Sequence, residues 1–400
     1  MDADVVVVGG GILGLASALA LLERSPDLRL TLLEKEPAPA VHQTGHHSGV
    51  VHAGVYYAPG SLKATLCREG KGLLEAFCAE HGVPLRRCGK LVVALDESEL
   101  ERLDELKRRA TGNGLEGLAE LDERELREIE PNVRGVRALH VPETGVVDFR
   151  LVASRMADAL RERGARIELG CRVERIDRDG EGLSVVGSCG RIGAGALVAC
   201  AGLQADRVAA LAGADVDVRT VPFRGAYWVL RPPAAGLVRA LVYPVPDPGF
   251  PFLGVHFTRR FDGSVWAGPS AMPALAREGY SRASFSARDA AEVVTWPGLL
   301  RFATRYVRMG ATEIWRDLVK PAAVREMQRY LPALSGADVA RGPSGIRAQV
   351  MTRSGELVDD FLFAEGPRSL HVVNAPSPGA TSSLAIGRHI AERAAKLFEL

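Results

Sequence analysis

The sequence predicts an α/β fold in which a doubly wound parallel sheet carries an inserted antiparallel sheet and a helical arm. Three observations predict it. A glycine-rich strand-to-helix turn opens the chain, and a second strand–glycine–helix turn recurs near residue 200. Beyond that second turn come strands rich in aromatic and β-branched residues, followed by a run of helices.

The opening unit sets the rest. An apolar strand, Val5 to Val8, runs into Gly9-Gly10-Gly11-Ile12-Leu13-Gly14, continues as the helical stretch Leu15 to Leu22, and is followed by a second apolar strand that ends at Glu34 and Lys35. Gly9 permits the tight turn, Gly11 lets backbone approach a pyrophosphate, and Gly14 lets helix pack on strand. The helix N-terminus can then face the anion. Glu34 stands where a carboxylate accepts from a ribose. This is a Rossmann-like dinucleotide-binding βαβ unit, and its context makes it more specific than glycine spacing alone.

Composition narrows the classes. The 400 residues are 47% hydrophobic and 25% charged, enough for two domains with cores. A formal charge of +1 speaks against a broad nucleic-acid footprint. With no secretory pattern and no long apolar span, a cytoplasmic protein without transmembrane segments is expected. Six cysteines without CxxC spacing are expected as reduced, buried thiols, with no disulfide.

Residues 41–57 follow as the densest polar segment, with His42, His46, His47 and His52 among glycines. No acid lies in it, so no metal site is expected. His42 and His46 read as structural histidines, or the segment reads as a loop passing a cofactor, with Thr44 and Ser48 as donors and Gly45 and Gly49 giving backbone access. Ser61 to His81 is an amphipathic helix, Lys90 to Leu95 a strand, and Glu99 to Arg109 and Asp122 to Glu128 are charged helices. Leu139 to Val147 is a strand and turn pair, Arg150 to Gly164 a helix, Arg166 to Leu169 a strand, and 171–186 a hairpin. Ala196 to Cys200 then leads through Gly202 to the helix Asp206–Leu211. Strands at Phe223–Leu230, Leu241–Pro244, Phe252–Phe257 and Ser264–Ala267 form the inserted sheet. From 287 to 334 helices mix Trp296, Phe302, Tyr306 and Trp315 with Arg301, Arg305, Arg308, Arg316 and Lys320, either an arm packed on the sheet or a membrane-surface patch. The strand Leu370–Asn374, a Pro/Gly loop, and a helix from Thr381 close the chain, the helix N-terminus offering a second seat for an electronegative atom. A discontinuous arrangement follows: residues 1–85, 145–215 and 340–400 form the nucleotide-binding domain, 86–144 and 216–339 the substrate domain, with the arm at 285–335.

The strings VVGGGILGLASA, HQTGHHSGVVHAGVYYAPGSLKA, CGKLVVA, VPETGVVDFR, VPFRGAYW, YPVPDPGFPFLGVHFT, RGPSGIRAQ and NAPSPGATSSLAI cover almost the whole chain. In them the sequence resembles the L-2-hydroxyglutarate dehydrogenase/oxidase family, FAD enzymes of the D-amino-acid oxidase-like superfamily. His47 departs from the family's more usual asparagine. The resemblance implies noncovalent FAD, held by Gly9, Gly11, Ile12, Leu13, Gly14, Glu34, Lys35, Thr44, Ser48, Gly49, Val173 and Gly202. It places Gly379, Ala380, Thr381 and Ser382 by the flavin ring. It also implies a small 2-hydroxy acid substrate. Electrons are expected to go to oxygen or, on the strength of the aromatic and basic arm, to a membrane quinone through peripheral association with the inner face of the cytoplasmic membrane.

Oxidising a 2-hydroxy acid needs a hydride acceptor, a base and a cation for each carboxylate. Arg347 is the candidate for the C1 carboxylate, because the resemblance to flavin oxidases implies an arginine at this strand position and a guanidinium grips a carboxylate in bidentate fashion. His52 and His256 compete as base, His52 having the better position after the flavin loop. Tyr57, Arg224 and Tyr243 are candidates for the distal carboxylate. Other oxidases of the superfamily, acting on amines, amino acids or glycerol phosphate, are the nearest rivals. A nicotinamide-dependent dehydrogenase and a nonenzymatic flavin-binding scaffold are further ones.

Overall fold

The computed structural model describes residues 1–247, 249 and 254–400. Five parallel strands form the frame of the first sheet, in the order Ser369–Asn374, Gly190–Ala199, Ala3–Val8, Leu30–Glu34, Arg166–Leu169. Gly190–Ala199 is long enough to serve twice. Its first half continues the meander Val173–Asp179 and Gly182–Gly187, and its second half pairs with Ala3–Val8. The central strands are apolar on both faces because both faces are covered. On one face the helices Ile12–Arg24, Phe149–Glu162 and Ser383–Phe398 contribute Leu15, Leu19, Met156, Ile386 and Ile390 to one core. On the other lie the meander and the helix Ala205–Leu211, through Ile176, Val185, Val208 and Ala212.

The second sheet runs Met272–Pro273, Val218–Leu230, Val265–Gly268, His256–Arg259, Leu241–Pro244, Lys90–Ala94, Arg137–Val141, Ala119–Asp122, with Val339–Thr352 along the other edge of Val218–Leu230. The expected antiparallel sheet is therefore mixed. Leu241–Pro244 pairs in parallel with Lys90–Ala94, because those strands come from separate excursions of the chain and cannot meet through a hairpin. The division at residue 340 is also corrected, since Val339–Thr352 pairs along twelve register positions with Val218–Leu230 and belongs to this sheet. The strand expected from Phe252 begins at His256 in the described region, and Phe252 itself lies outside the described residues. Leu139–Val147 separates into two strands, of which Gly145–Val147 joins Val50–Val51 and Leu85–Arg87 in a small third sheet.

The arm consists of Ala287–Val294, Pro297–Arg305, Val307–Leu318 and Lys320–Gln328. Val293, Trp296 and Phe302 pack on Val221, Phe223 and Met351 of the sheet. Its other side is apolar and open: Val307, Trp315 and Leu300 are 65%, 60% and 58% exposed. Among the described residues no helix is long and apolar enough to cross a membrane.

Cys67, Cys78 and Cys200 are free, buried thiols, and Cys88 is free and half-buried. Cys171 and Cys189 instead form a disulfide, with Cα atoms 5.1 Å apart. The reason is topological: Cys171 precedes the first strand of the meander and Cys189 lies in the turn between its second and third strands, so folding back brings together residues 18 apart.

Candidate active site

The site is a cavity of about 1450 Å³ that starts at the first glycine turn and ends under the second sheet. That exceeds the usual pocket of a drug-sized ligand, about 300–1,000 Å³, and suits an extended dinucleotide with a substrate beyond it.

Its first end is made of backbone. Gly9 has φ +110°, a conformation that side-chain-bearing residues rarely adopt. A Cβ at Gly14 would lie 1.8 Å from the Gly9 carbonyl oxygen, so only glycine lets this helix begin here. The Ile12 amide donates to Thr44 Oγ1 at 3.1 Å, which ties the helix N-terminus to the histidine segment. The Glu34 carboxylate accepts from the amides of Gly10 and Glu36 at 2.6 and 2.9 Å and is thereby held at the strand end. Gly9, Gly11, Ile12, Leu13, Glu34, Lys35, Thr44, Ser48, Val173, Gly202, Gly379, Ala380 and Thr381 line the cavity. Gly14, Gly49 and Ser382 do not line it: Gly14 is packed beneath the turn, Gly49 takes φ +79° in the loop, and the Ser382 amide bonds the Pro378 carbonyl at 3.0 Å. The closing helix accordingly starts at Ser383 rather than Thr381.

The histidine segment is clamped from both sides. His46 stacks on Tyr280 with centroids 3.8 Å apart, and its Nδ1 is 3.2 Å from the Ser344 carbonyl, to which it donates. His47 Nδ1 accepts from the Gly49 amide at 3.0 Å, and its carbonyl accepts from Arg260 at 2.8 Å. Burial, with Arg260 nearby, lowers the His47 pKa to about 4, so its ring is neutral. An asparagine side-chain oxygen could accept the same amide, which is how histidine substitutes here. Two acids, absent from the segment itself, do reach His42: Glu36, His42 and Glu278 present ligand atoms within 4.8 Å of one another. An ammonium fills that position. Lys35 Nζ lies 2.5 Å from Glu36, 2.6 Å from His42 Nε2 and 3.0 Å from Glu278.

At the far end, Thr381 joins the C-terminal loop to the histidine segment, its Oγ1 accepting from the His52 amide at 3.1 Å. His52, Tyr243, His256 and Arg347 line this part of the cavity. His256 Nδ1 is 2.9 Å from the Gly254 carbonyl. A carbonyl only accepts, so Nδ1 carries the proton and Nε2 is the acceptor. His256 also stacks on Tyr243 at 4.2 Å. Burial drives both histidines to the neutral form: His256 falls to about 3, and His52 falls well below the ordinary value, with the charge of Lys90 acting against protonation of each. Arg347 stands opposite Phe223 in register, and desolvation pulls its pKa down while Tyr227 and Glu313 oppose the fall.

Two candidates are not brought to the cavity. Arg224 is turned to the arm, with the Ser281 carbonyl 3.2 Å and Asp317 3.8 Å away. A buried carboxylate draws the guanidinium because either charge alone would be costly there. Tyr57 lies under the loop, its hydroxyl bonded to Ser377. One buried cation near this end went unremarked: Lys90, 1% exposed and outside the cavity lining, with Nζ 4.4 Å from the centroid of Tyr243, which lines it, and 5.1 Å from that of Tyr56. Its signal was present, as a lone cation opening the otherwise apolar strand Lys90–Ala94.

A βαβ cleft long enough for a dinucleotide, leading to neutral histidines and a deep guanidinium, is the architecture of a flavin oxidoreductase. The family model described as FAD dependent oxidoreductase (DAO) matches residues 4–393, and the chain belongs to that family. It is 46% identical over 407 residues to the mitochondrial L-2-hydroxyglutarate dehydrogenase of Caenorhabditis elegans, covering 99% of this chain and 94% of that one. It is 43% identical over 396 residues to the L-2-hydroxyglutarate dehydrogenase of Escherichia coli, again covering 99% and 94%. Among solved structures it is similar to FAD-bound L-α-glycerophosphate oxidase of Mycoplasma pneumoniae, with TM-score 0.78 and 24% identity over 100% of this chain and 95% of that one. That likeness is one of fold. The cofactor is FAD, and the Gly9–Gly14 turn, whose glycines leave no room for side chains, fits its pyrophosphate.

Proposed function

We propose that this FAD-dependent oxidoreductase converts L-2-hydroxyglutarate to 2-oxoglutarate, with Arg347 holding the C1 carboxylate, His52 removing the hydroxyl proton and His256 orienting the substrate. The observation that supports it best is the single cavity running from Gly9 to Arg347, which sets neutral nitrogen bases beside a cation at the end remote from the nucleotide turn. The named relatives direct the choice of substrate within that chemistry.

When bound, FAD supplies the hydride acceptor. The protein does the rest. Desolvation keeps His52 unprotonated at neutral pH, so a lone pair is ready for the hydroxyl proton. Once taken, that proton places a cation beside Lys90, and the negative charge of a bound carboxylate offsets the repulsion. Binding and proton removal thus favour each other. Thr381 fixes His52 by its backbone between the two cofactor loops, while His256, with Nδ1 committed to Gly254, presents Nε2 as a fixed acceptor. Stopped-flow reduction of the bound flavin by L-2-hydroxyglutarate, its D enantiomer and lactate tests this reading. Rapid bleaching by the L enantiomer alone is expected, and preference for an amino acid or glycerol phosphate would overturn it.

For the electron acceptor we favour a membrane quinone over oxygen, reached from the inner face of the cytoplasmic membrane. The support is the open apolar side of the arm, Leu300, Val307, Ile314, Trp315 and Leu318, interleaved with Arg301, Arg305 and Arg308. Sedimentation with anionic vesicles, and faster turnover with a quinone analogue than with oxygen, are the expected results.

A further inference from the structure

We infer that Lys90 is the second cation of the substrate pocket: it receives the carboxylate remote from the oxidised carbon and so selects dicarboxylic over monocarboxylic 2-hydroxy acids. The inference rests on the substrate reading above.

The register of its strand gives the placement. Side chains of Lys90–Ala94 alternate, Leu91 and Val93 entering the core beneath the second sheet, Val92 and Ala94 packing on Ala53 and Val55. Lys90 therefore shares the face of Val92 and Ala94, toward the chain that follows His52. Its neighbours there are the rings of Tyr243 and Tyr56. Tyr243 also stacks on His256, and both line the cavity, so the ammonium, itself outside that lining, lies one ring behind the wall at the substrate end.

A lysine this buried ordinarily has a carboxylate partner. Among the described residues none forms an ion pair with Lys90, whereas Lys35, Lys63 and Lys71 are all paired. Aromatic faces tolerate the cation without cancelling its charge, and its field reaches both His52 and His256. Burial lowers the ammonium pKa to about 8, which leaves it mostly charged at neutral pH. His256 feels a second cation as well, Arg347, which comes from the Val339–Thr352 strand on another side. Two cations flanking one oriented imidazole match a substrate with a carboxylate at each end. A monocarboxylate would engage only one of them.

The test uses the holoenzyme and Lys90→Met, which keeps the length of the side chain. For L-2-hydroxyglutarate the KM should rise about 100-fold, the size of one lost charge-assisted contact, and the preference in kcat/KM for L-2-hydroxyglutarate over L-2-hydroxypentanoate should fall by a similar factor. The dissociation constant of glutarate, read from the shift of the flavin spectrum, should weaken to that of pentanoate. Equal losses on both substrates, or unchanged glutarate binding, would overturn the assignment and leave Lys90 a structural residue. Should Lys90→Met lose flavin, Lys90→Gln replaces it. The unmodified holoenzyme provides an independent arm, because glutarate must bind at least about tenfold more tightly than pentanoate, and equal binding refutes the role. Failure of L-2-hydroxyglutarate to bleach the unmodified enzyme is a different result, one that removes the substrate reading itself.

Discussion

The two ends of the cavity recognise charge by opposite means. At the nucleotide end the protein uses backbone: glycines with no room for a Cβ, a helix N-terminus, and a carboxylate held by two amides. At the end that we propose receives the substrate it gathers side chains taken from water: the Arg347 guanidinium, neutral His52 and His256, and the Lys90 ammonium behind Tyr243. The first arrangement is rigid and local, assembled within one βαβ unit. The second is convergent, drawn from four separate segments of chain, and its cations act in the same sense on its histidines. Damage should therefore differ in kind: loss of cofactor at one end, loss of turnover or affinity with cofactor retained at the other.

Gly14→Val should break the molecule hardest. Its side chain would meet the Gly9 carbonyl, so we expect destabilisation of at least about 3 kcal/mol and a colourless protein, measured by thermal unfolding and flavin absorbance. His52→Ala should slow flavin reduction by about 10³-fold while keeping flavin and glutarate binding. If flavin were lost instead, the contrast between the two ends would fail. Arg347→Lys exchanges a planar fork for a point charge, and the KM should rise about 10–100-fold with little change in cofactor content.

A pH series sharpens the comparison further. His47, His256 and His371 have folded pKa values near 4, 3 and 4, below the ordinary 6.5, so the unfolded chain binds more protons between those values. Stability is then complete above pH 6.5 and is lost progressively as pH falls toward 4. His371→Gln, in the parallel sheet, should make that slope of Tm against pH shallower without altering the KM. The smallest functional effect is expected from Arg224→Met, which should cost about 1–3 kcal/mol of stability by loosening Asp317 while shifting the KM by less than about twofold. A large KM change there would return Arg224 to the pocket.

The same difference explains what could be read from the sequence. The nucleotide turn was legible because its demands are local, so Gly9, Gly14 and Glu34 are recognisable from their spacing within one strand–turn–helix–strand unit. The histidine segment stood out by its own density of polar residues. Arg224 misled because its partner, Asp317, lies 93 positions away and no periodicity connects them. The Cys171–Cys189 bond and the place of Val339–Thr352 were hidden for the same reason, each being decided by which strands pair. Lys90 was passed over among apolar neighbours, although a cation in a strand buried on both faces already signals a purpose.

The helix Ile12–Arg24 rests against Ser383–Phe398, and Thr381 ties down the segment carrying His52. On the ribosome the helix Ile12–Arg24 emerges long before Ser383–Phe398. The nascent chain must therefore shelter the apolar face of that earlier helix until its partner is made, and retention of the coenzyme waits on the later one.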